Sequence, residues 1–110
     1  MVPDYSHLVY ALPRLMGLHN LSGTRAAPLL GMSPQHLALL MNGKRNPTYE
    51  RLRAIGDLFG IQTDRLVDAS FEDLLQHELA DPQRFRDTEQ RIQKRERRPE
   101  APTQQTKDED

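Results

Sequence analysis

Between Leu29 and Asn42 the chain reads LLGMSPQHLALLMN, and the middle of that stretch leaves the backbone little choice. Gly31 can supply the left-handed conformation that closes many helices, and two residues later Ser33 and Pro34 open another. A serine hydroxyl accepts an orphan amide of the first turn, while proline at the first helical position has no amide to satisfy. A second stop follows at Asn42-Gly43. The spacing predicts a short helix from Ser33 to Asn42 with Leu37, Leu40 and Met41 on its inner face, joined to the preceding segment by a tight turn.

The same punctuation divides the rest. Leu8, Leu12, Leu15 and Met16 recur at three- and four-residue steps and predict a first helix between Tyr5 and Leu18. Pro13 within it predicts a kink or a break, and Gly17 and Asn20 mark its end. A second helix beginning near Ser22 or Thr24 sets Ala26, Ala27, Leu29 and Leu30 inward. Thr48 caps a fourth, whose stripe is Leu52, Ile55, Leu58 and Phe59 and whose stop is Gly60. Thr63 or Asp64 opens a fifth with Leu66 and Val67. Ser70 and Asp73 have the spacing of a capping box for a helix bearing Phe71, Leu74, Leu75 and Leu79. No run alternates with the period of a strand, so the expected fold class is all-α.

A chain of 110 residues builds one compact domain with a single core. Only 36% of the residues are hydrophobic and 28% are charged, but the deficit lies near the C-terminus, and the first eighty residues have an ordinary globular composition. From Gln83 to Arg98 the strong apolar residues are Phe85 and Ile92, a thin seam seven positions apart on a helix that would be marginal in isolation. Beyond Pro99 the sequence holds no core former except one alanine and is expected to be disordered. The organisation expected is a domain over 1–68, a helical extension over 69–98 and a polar tail over 99–110.

The net charge of −1 hides an uneven distribution. Residues 1–80 carry seven Lys/Arg against eight Asp/Glu, residues 81–98 seven against four, and residues 99–110 one against four. The basic run Arg91, Lys94, Arg95, Arg97 and Arg98 offers non-specific phosphate attraction or simply a solvated face. Without cysteine there is no disulfide framework and no thiolate metal site. His7, His19, His36 and His77 have no metal-ligand spacing, and no nucleophile and base are paired by any motif, so no metal, cofactor or catalysis is expected. The N-terminus lacks the basic and apolar regions of a signal peptide and no apolar run reaches membrane-spanning length, which suits a cytoplasmic protein.

The landmarks Leu21-Ser22, Ala26-Ala27, Gly31, Ser33, Leu37, Asn42-Gly43-Lys44, Pro47, Leu52, Ile55, Leu58 and Ile61 fall at the spacing of one known family. From Leu21 to Gly60, about two fifths of the chain, the sequence resembles the lambda-repressor-like (Xre-type) helix-turn-helix family. The resemblance implies five helices, with the third lying in the major groove of duplex DNA. It places Pro34, Gln35, Ala38 and Leu39 on the base-facing side, with His36 beside them. Gln35 has the donor and acceptor to match adenine, while Ala38 and Leu39 suit thymine methyl groups. Asn42, Lys44, Arg45, backbone amides near Thr48, and Arg25 on the second helix are the implied phosphate contacts.

The chain departs from the family at three places. Gly23 stands where many members carry a phosphate-touching Gln, Pro28 interrupts the second helix, and Met16 and Met41 replace a buried Arg and Glu. A looser resemblance, to actinobacterial Xre-type regulators with a C-terminal dimerisation helix, rests on the Met32 to Gly43 wording and the helical extension. It implies a homodimer held by Phe71, Leu74, Leu75 and Leu79. The leading expectation is a dimeric DNA-binding regulator, favoured as a repressor. The alternatives are an antitoxin whose region from Gln83 onward folds on a toxin, and a helix-turn-helix that serves only in protein interaction.

Overall fold

The computed structural model describes residues 4–97, so the expected tail over 99–110 lies outside the described residues. The described residues are all helical: α1 Ser6–Leu18, α2 Gly23–Leu29, α3 Pro34–Met41, α4 Tyr49–Phe59, α5 Thr63–Asp68, α6 Phe71–His77 and α7 Pro82–Glu96.

The caps sit where the sequence puts them. Ser22, Ser33, Thr48 and Ser70 each accept, through the side-chain oxygen, the amide three residues on, at 3.1–3.2 Å. At the other ends, Asn20, Gly31, Gly43 and Gly60 take left-handed backbone angles, with φ of 56°, 72°, 72° and 71°. After each left-handed residue the next amide turns back onto the helix: Leu21 onto Met16 O, Met32 onto Ala27 O, Lys44 onto Leu39 O and Ile61 onto Gly56 O, at 2.9–3.0 Å. Gly56 serves a different need, because a Cβ there would run into the carbonyl oxygen of Ile61.

Two local expectations change. Pro13 does not break α1 in two: α1 is one helix of 13 residues, with Pro13 on its exposed side and Leu12, Leu15 and Met16 buried. Pro28 likewise falls one residue before the end of α2, so the helix starts at Gly23 without delay. The Ser70–Asp73 box is half made. Ser70 caps, but the Asp73 carboxylate accepts from Arg65 Nη2 at 2.8 Å instead of turning back. The same guanidinium donates to both carboxylate oxygens of Glu78, at 2.7 and 3.2 Å, and so ties α6 to α5. This pairing holds Glu78 below the ordinary carboxylate range.

The core is shared by all seven helices. Leu12, Leu15, Leu37, Ile55, Leu58, Phe59, Leu66 and Leu74 are almost wholly buried, and Ile92 of α7 joins them at 3% exposure. Ala26 and Ala27 are fully buried between α2 and its neighbours, where a larger side chain would hold α3 away.

The largest correction concerns α7. Its polar sequence reads as a marginal helix, yet one face of it docks onto α2 and α4. Arg84 donates to Gly60 O at 2.8 Å, Arg91 to Leu58 O at 2.9 Å and Arg95 to Leu29 O at 2.9 Å. These carbonyls end α4 and α2, where no intrahelical donor remains and the partial charge is negative. Arg91 and Arg95 are therefore used internally, and only Lys94 and Arg97 of the described basic run stay uncommitted; Arg98 lies outside the described residues. The Phe85–Ile92 seam is half closed within the protomer: Ile92 enters the core, while Phe85 stacks on His19 with ring centres 4.4 Å apart and stays 44% exposed. His19, buried at the end of α1, pairs through Nδ1 with Glu89 of α7.

Residues 69–98 were expected to form a helical extension that serves dimerisation, with Phe71, Leu74, Leu75 and Leu79 as its surface. Leu74 is fully buried in its own protomer, and Phe71 and Leu79 are partly buried against the same core. Leu75 alone of the four is exposed, and Leu79 lies beyond the end of α6. Two measurements test this packing by urea unfolding. Ile92→Ala should lower the unfolding free energy by ~2–4 kcal/mol, the range for a large apolar residue cut to alanine in a packed core. Gly56→Ala should cost about 1–3 kcal/mol, since the added methyl has backbone in its way.

Candidate nucleic-acid interface

α2 and α3 are joined by the four residues Leu30, Gly31, Met32 and Ser33, with Leu30 and Met32 buried beneath the turn. α3 rests on α2 and α1 through Leu37 and Leu40, at 0% and 3% exposure. Its opposite side is open: Pro34 and Gln35 in the first turn are exposed, and Ala38 and Leu39 are half-exposed. The amide of Gln35 makes no side-chain hydrogen bond among the described residues and is free to engage a ligand.

His36, expected beside the base-facing set, is less open than Pro34 and Gln35. It is half-buried, and its Nε2 atom is enclosed with no hydrogen-bond partner among the described residues. Burial, reinforced by the nearby cations Arg51 and Arg45, pushes the imidazole below its ordinary value. Protonation of the ring is thus disfavoured, and one of its nitrogens is closed to a ligand.

The loop that leaves α3 gathers the expected phosphate groups. Asn42, Lys44, Arg45 and Thr48 are all exposed, and neither Lys44 nor Arg45 is ion-paired among the described residues. Pro47 is buried beneath this loop, and Gly43 packs over Val9 of α1, so the cations are carried on an anchored turn. Arg25 is not brought into the group. Its guanidinium makes a two-pronged pair with Glu96 of α7, at 3.0 and 3.1 Å, and also donates to Asn20 O. The pairing raises Arg25 and lowers Glu96 relative to their ordinary values, so both stay charged and matched.

Beside the expected amides around Thr48, the start of α4 carries two residues outside the expected set, Tyr49 and Arg51. Tyr49, 66% exposed, stands at its first position immediately beyond Thr48. Arg51 reaches from the same turn to Gly31 O at 3.5 Å and so bridges α4 to the turn of the α2–α3 pair. The available signal was the direct continuation of polar and aromatic residues from Lys44 through Arg51, opposite Leu52 and Ile55 on the helix.

An exposed first turn on one short helix, a buried helix behind it and unpaired cations just past its end form the geometry of a helix-turn-helix. Residues 14–66 match the family model described as Helix-turn-helix. That segment belongs to the lambda-repressor-like (Xre-type) helix-turn-helix family. α2 and α3 are its paired helices, and the protein is a DNA-binding transcription regulator in kind. No curated protein and no solved structure matches the chain. Among the described residues no group of His, Cys, Asp and Glu could hold a metal ion, and no helix is long and apolar enough to cross a membrane.

The lowered value of His36 has a measurable consequence. Because its folded value lies below the unfolded one, the unfolded chain binds more protons between the two. The stability His36 contributes is therefore complete above the ordinary value of 6.5 and is lost as pH falls through that window. Proton NMR titration should find His36 titrating below 6.5, and His36→Gln should flatten the stability-versus-pH curve there.

Proposed function

We propose that this chain is a cytoplasmic, homodimeric repressor that lays α3 in the major groove of duplex DNA. The observation that carries the reading is the exposed first turn of α3, Pro34 and Gln35, followed at the far end of the helix by the unpaired Lys44 and Arg45. A major groove about 12 Å wide admits one helix, and side chains near its N-terminus meet the base edges. In this arrangement Gln35 reads adenine through paired hydrogen bonds, with Ala38 and Leu39 against thymine methyl groups. Lys44, Arg45, Asn42, the amides around Thr48 and the Tyr49 hydroxyl hold the phosphates and fix the register. Arg25 joins them only by leaving Glu96. His36 supports the turn. Two copies are needed because one helix reads few base pairs, and a two-fold pair spans half-sites about 34 Å apart.

The antitoxin alternative assigned the region from Gln83 onward to a toxin, and residues 83–96 instead pack on their own domain, so it gains no support from the fold.

Selection from a random duplex pool should recover an inverted repeat with half-sites about one helical turn apart. Gln35→Ala should lose preference at one position of each half-site, a discrimination of roughly 1–3 kcal/mol. Lys44→Ala should weaken binding to every sequence alike and reduce the slope of log affinity against log salt by about 0.9. Absence of enrichment at low salt would exclude DNA reading altogether.

A further inference from the structure

We infer that the outer face of α1, together with the adjoining edge of α6, is the surface on which a second copy of this chain docks. The inference rests on the dimeric reading above and gives it a location. The stripe Phe71, Leu74, Leu75 and Leu79 cannot supply that location, because most of it is used within the protomer.

α1 buries Leu8, Leu12, Leu15 and Met16, and its opposite side carries Tyr10, Arg14 and Leu18, spaced four apart and so in line along the helix. Tyr10 is 46% exposed and Leu18 40%. The Arg14 guanidinium lies 3.5 Å from the centre of the Tyr10 ring, while Nη1 donates to Tyr10 O at 2.8 Å. Tyr10 in turn meets Phe71 of α6 edge to face, with ring centres 6.5 Å apart. Beside Phe71, on the outer side of α6, stand Glu72 and Leu75, three apart on one face, with Leu75 39% exposed. These are three of the five exposed large hydrophobic residues of the described chain, gathered on two adjacent helices.

Charge indicates the occupant. The α1 half of the face holds one cation, Arg14, and the α6 half holds one carboxylate, Glu72. Neither is ion-paired among the described residues. A two-fold interface joins a patch to itself, so a face with a cation on one half and an anion on the other is complementary to its own rotated copy. Rotation sets Arg14 of one copy toward Glu72 of the other, twice, across a centre of Tyr10, Leu18 and Leu75. The apolar centre supplies attraction and the crossed charges supply register, the usual division between such groups at an interface.

Sedimentation equilibrium of the full chain without DNA tests the assignment by charge exchange. Wild type should dimerise. Arg14→Glu and Glu72→Arg, each of which creates two like-charge pairs in a symmetric dimer, should each raise the dimer dissociation constant about tenfold. The double exchange should return it toward the wild-type value. Leu75→Glu, at an exposed position, should also favour monomer, with helicity by circular dichroism unchanged. A wild-type chain monomeric at high concentration, a dimer indifferent to both single exchanges, or a double variant weaker than either single one would overturn the assignment. Because no DNA is present, a monomer that still shifts duplex would reject this surface while leaving the DNA-binding reading in place.

Discussion

Six of the helices are no longer than 13 residues and α7 has 15, lengths at which an isolated helix barely persists in water. What happens at their ends therefore governs the whole molecule. Four side-chain oxygens close the entries at Ser22, Ser33, Thr48 and Ser70, and left-handed residues close the exits at Asn20, Gly31, Gly43 and Gly60. The carbonyls at the ends of α2 and α4 that these turns leave free are taken by Arg84, Arg91 and Arg95. α7 thereby acts as a brace over two helix termini, held by Ile92 in the core and by its guanidinium groups on the free carbonyls.

That brace bears on the exposed side of α3 through the helices behind it. α3 is positioned from behind by α2 and α1, and α2 is gripped at its exit by Arg95 and near its entry by the Arg25–Glu96 pair. The orientation of the exposed first turn of α3 thus depends on residues more than sixty positions away in sequence.

The departures from the family pattern also find physical accounts. Met16 is buried and Met41 is partly buried against the core, which is consistent with apolar packing in place of an ion pair. Pro28 is harmless because it is exposed near the exit of α2, and the carbonyl of Thr24 that it leaves without a donor belongs to an exposed residue. Proline inside α1 is tolerated for a related reason: Pro13 lies on the outer side, away from Leu12 and Leu15.

By itself the sequence determined the order and most of the end signals of the first six helices, and with them the family, because caps, stops and three- to four-residue spacing act within a few residues of the chain. It also determined that Gln35, Lys44 and Arg45 would face outward, as they sit opposite a continuous apolar stripe or beyond a helix end. Only the tertiary structure decided which charged groups remain available. Arg25, Arg91 and Arg95 look like phosphate contacts until Glu96, Leu58 O and Leu29 O are brought against them from distant segments. The Nε2 atom of His36 was enclosed, and Leu74 was assigned to its own core, by the same cause. Periodicity reports that a side chain has an inner or outer side of its helix, whereas what lies against that side is set by the packing of elements far apart in the chain.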